Sequence, residues 1–166
     1  MEGIGLSGDH VKLAEFAAGR LRGDTRIASF SISGWDTHDN QSSNIARALS
    51  RLSDTILTLR TGLGAAWGPT AVLCMTEFGR TARENGSRGT DHGTGGAMLL
   101  AGGAMRGGRV ISDWPGLGEG DLYAGRDLLP TRDIRAYAAW VMRAATGVSV
   151  SALEDAIFPD LEMGAD

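Results

Sequence analysis

Apolar residues along this chain follow two kinds of pattern, one with helical spacing and one of short continuous runs. Helical spacing predicts helices over residues 7–22, 44–66 and 132–146, and a short helix near 151–157. The second is the clearest, because its apolar residues recur every three or four positions: Ile45, Leu49, Leu52, Ile56, Leu59 and Leu63. Short apolar runs predict strands over residues 26–33, 70–76 and 97–101, and a shorter strand over 109–111.

Strands that alternate with helices indicate an α/β fold. We therefore expect a single domain over residues 1–166, with a mainly parallel sheet flanked by helices. Residues 77–96 form a long polar stretch with several glycines. Polar loops of this length inside a compact domain are commonly functional, which makes this stretch a candidate for site residues.

Composition excludes several classes of protein. The net charge of -4 gives no basic surface for nucleic acid, so no nucleic-acid partner is expected. No apolar run approaches the roughly 20 residues of a membrane span, and the N-terminus lacks the basic-then-apolar pattern of a signal peptide. Cys74 is the single cysteine, which excludes an intrachain disulfide and favours a small buried side chain.

Ionisable side chains follow two of the predicted strands and precede a third. Asp36 and His38 come after the first strand, and Glu77 and Arg80 come after the second. The neighbouring pair Asp91 and His92 lies near the end of the long loop, before the third strand. Ligands of open α/β sheets lie outside the carboxyl ends of the strands. We therefore expect these groups to converge on one or two divalent metal ions.

Each of these residues also has a structural interpretation. Asp36 could terminate a turn, and His38 could be a solvated or capping histidine. Glu77 could form an ion pair with Arg80 instead of binding metal, while Arg80 could hold a phosphate or sulfate oxygen. Asp91 could bind metal itself or orient a neighbouring histidine.

Three segments together resemble a bacterial family of unknown function, the DUF1501 family. They are SGWDTHDNQ at residues 33–41, TEFGRT at 76–81 and NGSRGTDHG at 85–93. The glycine pairs at 102–103 and 107–108 and the segment LPTRDIR at 129–135 also fit. The resemblance extends over roughly residues 10–148, and the combination of segments is more specific than any one of them.

This resemblance implies an alkaline-phosphatase-like fold, with zinc or manganese ions at the rim of the sheet. It implies that Asp36, His38, Glu77, Asp91 and His92 bind metal. Arg80 would then stabilise the oxyanion charge of a small phosphate or sulfate ester. Longer members of the family often begin with an export signal, which suggests a periplasmic or cell-envelope origin.

The chain departs from the pattern of that superfamily in two ways. Phe78 stands where a metal-binding histidine is expected, and Asp36 lies closer to His38 than is usual. The chain also resembles only the C-terminal half of the longer members, whose N-terminal half brings the nucleophile. A non-catalytic binding or structural domain with the same fold is therefore the alternative. A third interpretation is a chain that needs a partner or a second copy to complete its sheet.

Overall fold

The computed structural model of the protein describes residues 8–164, and its chain divides into two compact units. The first unit contains the chain up to Gly68 together with Glu84–Asp91. The second unit contains Pro69–Arg83 and the chain from His92 onward. Residues 84–91 therefore belong with a part of the chain that is distant in sequence, and the single domain over 1–166 stays a prediction.

Two helices form the body of the first unit. Helix α1 covers Asp9–Leu21 and helix α2 covers Gln41–Leu63, close to the predicted helices, although residue 7 lies outside the described residues. The helices pack against each other, and three of the four residues that α1 buries are alanines. A methyl group added at Gly62 would lie 2.8 Å from the Cβ of Ala18, so the glycine lets the two helices approach closely.

The predicted strand over residues 26–33 is not formed. This segment has no regular secondary structure, and the side chain of Ile27 is 76% exposed. Apolar residues alone do not make a strand, because a strand needs a neighbour for its backbone hydrogen bonds. No described strand pairs with this segment. Helix α2 begins at Gln41 and not at residue 44 as predicted. The left-handed conformation of Asn40, with φ of 42°, marks the residue at which the helix starts.

Four short strands lie in the second unit. Strand β1 (Val72–Cys74) pairs antiparallel with β4 (Leu99–Ala101), and β2 (Gly79–Arg80) pairs antiparallel with β3 (His92–Gly93). The sequence predicts β1 and β4, while β2 and β3 fall inside the predicted loop. Parallel pairing needs a crossover, usually a helix, and the described chain between β1 and β4 contains none. The mainly parallel sheet of an alkaline-phosphatase-like fold stays a prediction.

Helix α3, over Ile134–Thr146, is followed by a last helical segment over residues 150–157. The N-cap of α3 is Asp133, whose carboxylate accepts a hydrogen bond from the backbone N–H of Arg135, so the helix begins two residues later than predicted. Leu161 and Met163 are buried against Ala139 and Leu153. The apolar residues of this C-terminal segment therefore complete the core of the second unit.

Candidate metal centre

The turn before α2 carries Asp36 and His38. Thr37, between them, is only 2% exposed, and its backbone N–H donates to the carbonyl of Trp35 at 3.0 Å. Burying Thr37 leaves the side chains on both sides of it partly exposed: 67% for Asp36 and 44% for His38. The sequence thus builds a turn that is anchored at its centre and presents a carboxylate and an imidazole to solvent.

The loop over residues 85–91 lies directly against this turn. Three backbone hydrogen bonds join them: Asn40 N to Ser87 O (3.1 Å), Gln41 N to Arg88 O (2.8 Å) and Thr90 N to Thr37 O (3.1 Å). The side-chain oxygen of Gln41 accepts from the hydroxyl groups of both Thr37 and Thr90, at 3.0 and 2.6 Å. A methyl group at Gly89 would lie 2.2 Å from the carbonyl of His38, so this position requires glycine.

The ring of His38 lies between two carboxylates. Its Nε2 is 3.0 Å from Oδ1 of Asp36, and its Nδ1 is 3.0 Å from Oδ1 of Asp91. An imidazolium ring can donate to both oxygens, while a neutral ring can donate to one. Exposed carboxylate–histidine pairs contribute only about 0–1 kcal/mol to stability, so folding stability gives little reason for this arrangement.

The same geometry suits a metal ligand. Histidines that bind metal through one nitrogen usually donate the other N–H to a carboxylate, which fixes the ring and its tautomer. Here Asp91 is the carboxylate on Nδ1, and Nε2 and the Asp36 oxygen, 3.0 Å apart, are close enough to bind one ion together. Nitrogen and carboxylate oxygen are both ligands of zinc, and zinc replaces a proton on nitrogen when it binds.

Two residues that join the Asp36–His38 turn to the loop over residues 85–91 are not among the site residues predicted from the sequence. Asn85 and Gln41 bear the side-chain hydrogen bonds that join the turn to the loop. The Asn85-Gly86 dipeptide is a turn signal that could have pointed to the first of them. No comparable signal exists for Gln41, because its partner Thr90 lies 49 residues away in the sequence.

His92 has different surroundings in the second unit. It pairs with Arg80 across β2 and β3, and its ring centroid is 4.1 Å from that of Phe78. Its backbone carbonyl accepts a hydrogen bond from Arg126 at 3.2 Å. Glu77, before β2, is exposed to solvent, so burial does not force a partner on its carboxylate.

The other side chains with possible chemistry have structural partners. Thr94 donates to Asp127 at 2.8 Å, and Asp127 is 7% exposed and also accepts from Arg126. Partial burial raises the pKa of the Cys74 thiol, which keeps it protonated and agrees with a packing role. His10, on α1, has its Nε2 3.6 Å from a carboxylate oxygen of Asp54 on α2.

A comparison with protein-family models gives one match, described as a protein of unknown function (DUF1501), over residues 15–145. The matched range includes Asp36, His38, Asn85 and Asp91. No curated protein and no solved structure matches the chain significantly. Among residues 8–164, no helix is both long and apolar enough to cross a membrane.

Proposed function

We propose that this chain, which belongs to the DUF1501 family, binds a divalent metal ion at Asp36 and His38 and contributes to hydrolysis of a small phosphate or sulfate ester. The observation that carries the proposal is the His38 ring, which has a carboxylate oxygen 3.0 Å from each nitrogen. Zinc and manganese fit this mixture of nitrogen and oxygen ligands.

Three residues of the first unit would have different roles in binding the ion. Asp36 and Nε2 of His38 would hold the ion, and Asp91 would keep the ring in place through Nδ1. When bound, such an ion supplies positive charge to an oxygen of the ester. The exposure of Asp36 and His38 leaves room for a small anionic substrate to reach them.

Further assignments rest on the resemblance. Glu77 and His92 are proposed as additional metal ligands, and Arg80 as the group that stabilises oxyanion charge. The alkaline-phosphatase-like fold and the correspondence with a C-terminal half also belong to the proposal, as does a periplasmic or cell-envelope location.

Metal analysis of the purified chain tests the proposal. Zinc or manganese is titrated by calorimetry into the wild type, His38→Ala and His10→Ala, the last being a histidine of α1 that serves as the matched control. We expect near-stoichiometric binding in the wild type and the control, and none in His38→Ala. A wild type that binds no metal, or a His38→Ala variant that binds like the wild type, would contradict the proposal.

A non-catalytic binding or structural domain is the second candidate, and a specific observation favours it. The threonines nearest the predicted site residues are engaged in structural hydrogen bonds: Thr37 to Gln41, Thr81 to the carbonyl of Arg83, Thr90 to Gln41 and Thr94 to Asp127. Three of these hydroxyl groups donate to neutral oxygens, and the fourth donates to Asp127, whose carboxylate is buried and already paired with Arg126. This is not the exposed pair of hydroxyl and base that a nucleophile needs.

Hydrolysis assays separate the two candidates. The whole chain is incubated with nitrophenyl phosphate and nitrophenyl sulfate in the presence of zinc, manganese or magnesium. Turnover that disappears with a chelator and in His38→Ala supports the hydrolase. Stoichiometric metal binding without turnover favours the non-catalytic domain.

A further inference from the structure

We propose that Asn85 is a positioning residue for His38, because its carboxamide holds both Asp91 and the backbone of His38. This role is separate from metal binding itself, although its effect on metal affinity rests on the proposed function. Asn85 lies at the start of the loop that packs against the Asp36–His38 turn, and it is partly buried.

The amide nitrogen of Asn85 makes two hydrogen bonds. Nδ2 donates to the backbone carbonyl of His38 at 2.9 Å and to Oδ1 of Asp91 at 3.0 Å. The same Asp91 oxygen is 3.0 Å from Nδ1 of His38. Asn85, Asp91 and the His38 ring therefore form a continuous chain of hydrogen bonds, which closes on the backbone of His38.

The amide oxygen of Asn85 is occupied as well. Oδ1 accepts from the backbone N–H groups of Ser87 at 2.9 Å and Gly89 at 3.1 Å. The backbone N–H of Asn85 donates to the carbonyl of Gly89 at 2.8 Å, which closes the turn. An asparagine side chain offers two donor protons and one oxygen that accepts two bonds, so its full capacity is used.

Because each donor and acceptor of the Asn85 side chain has a partner, the orientation of the carboxamide is fixed. A flipped amide would turn its oxygen toward two acceptors, the carbonyl of His38 and the carboxylate of Asp91. It would also turn its N–H groups toward two donors, the N–H groups of Ser87 and Gly89. Each reversed contact would lose a hydrogen bond and leave like partial charges facing each other.

The consequence for His38 follows from the Asp91 oxygen. A donor on that carboxylate holds it in the place where Nδ1 of His38 needs an acceptor. Partners one step beyond a metal ligand typically change metal affinity by about 10–100-fold when they are removed. Asn85 acts one bond further out, through Asp91, so we expect an effect near the lower end of that range.

Asn85→Asp is the decisive variant, tested in the whole chain. One of its oxygens can still accept from Ser87 and Gly89, while the other replaces the donor with an acceptor beside Asp91. We expect zinc affinity to fall by about tenfold in calorimetry, although the added negative charge by itself would strengthen cation binding. Zinc affinity equal to or tighter than that of the wild type would overturn the proposal.

Gln41→Ala is the matched control, since Gln41 joins the same two segments through the hydroxyl groups of Thr37 and Thr90. We expect its zinc affinity to stay within about threefold of wild type, a range small against the loss expected for Asn85→Asp. An equal loss in both variants would show that Asn85 only ties the loop, which overturns the proposal. Asn85→Ser, which keeps a single donor, is the second variant if Asn85→Asp does not fold; an intermediate affinity is expected and an unchanged one contradicts the role.

A metal-free measurement keeps this inference distinct from the proposed function. Nitrogen-15 NMR of the histidine rings reports the protonation of Nδ1 and its hydrogen bond in the apo protein. We expect the His38 Nδ1 signal to move in Asn85→Asp and to stay in Gln41→Ala. If the wild type binds no metal, the proposed function fails, and the His38 signal alone decides the role of Asn85: an unmoved signal refutes it.

Discussion

His38 and His92 each follow an aspartate closely in the sequence, but their rings have different surroundings. His38 has the carboxylates of Asp36 and Asp91 at its two nitrogens, whereas the ring of His92 stacks near Phe78. The carboxylate of Asp91 bonds to the ring of the distant histidine, His38, 53 residues away. A neighbour in sequence therefore does not identify the partner of an imidazole, and hydrogen-bond geometry does.

The largest effect is expected when the charge of the proposed ligand Asp36 is removed. Asp36→Asn keeps the shape of the side chain but replaces the anionic oxygen beside Nε2. We expect zinc affinity to fall on the order of 100-fold, because charge is the main attraction of a carboxylate ligand for a divalent ion. Calorimetry measures it, with Asp39→Asn as a control that makes the same change of charge on an exposed neighbour. A similar loss in both variants would mean that the effect is general electrostatics.

Gly89→Ala tests the close contact between the loop and the His38 turn. The added methyl group would lie 2.2 Å from the carbonyl of His38, so the backbone must move. We expect a loss of about 1–3 kcal/mol in unfolding free energy, which urea denaturation measures. Gly86→Ala, with nothing within 4 Å of the added group, is the control. An unchanged Gly89→Ala stability would mean that the loop packs against the turn less closely.

Asp91→Asn separates an orienting role from a ligand role. The substitution keeps an oxygen near Nδ1 of His38 but removes its charge. We expect a loss of roughly tenfold in zinc affinity, smaller than that of Asp36→Asn. A loss that equals or exceeds the loss in Asp36→Asn would make Asp91 a direct ligand and would reverse the roles proposed for the two aspartates.

Phe78→Leu tests the other side of the contrast. It removes the ring next to His92 while keeping an apolar side chain. Aromatic pairs contribute about 0.5–1.5 kcal/mol, and Phe78 is 39% exposed, so we expect a loss below about 1 kcal/mol in urea denaturation. A loss clearly above about 1.5 kcal/mol would contradict this, because it would exceed what an aromatic pair contributes.

The smallest expected effect is on the stability contributed by Asp133, the N-cap of α3. This residue is distant in sequence from both histidines and serves as a reference site. Hydrogen bonding by the Arg135 side chain lowers the pKa of Asp133. A lowered pKa gives stability that is present above the unfolded-state pKa and is lost as pH falls through the folded-state value. Asp133 is 40% exposed, so we expect only a few tenths of a kcal/mol. Urea denaturation between neutral and strongly acidic pH should show a smaller pH dependence in Asp133→Asn, which keeps the cap; an unchanged dependence contradicts this.

The sequence predicts the helices well, but the two strands predicted over residues 26–33 and 109–111 are not formed. Helices α1, α2 and α3 follow from apolar spacing, which records the face that each helix buries. Residues 26–33 have the composition of a strand, but pairing depends on a partner elsewhere in the chain. The short pair β2 and β3 was missed because two-residue strands leave no recognisable periodicity.

The candidate site could be predicted as a set of residues but not as an arrangement. The sequence singles out Asp36, His38 and Asp91 by residue type and by their positions beside apolar runs. It associates Asp91 with His92, while the structure joins its carboxylate to His38. The role of Asn85 stays hidden in sequence, because its importance comes from bonds to groups on two separate segments.

The bond between His38 and Asp91 also bears on the order of folding. It closes a loop of 53 residues, and the entropic cost of closure grows with the logarithm of the length of flexible chain. Helix α2 spans 23 of these residues, so its formation shortens the flexible part before the ends meet. We therefore expect the helices to form first and the surroundings of His38 to assemble late. A break in the chain anywhere between α2 and Asn85 would remove this covalent tether, and metal affinity would then depend on the concentration of the two pieces.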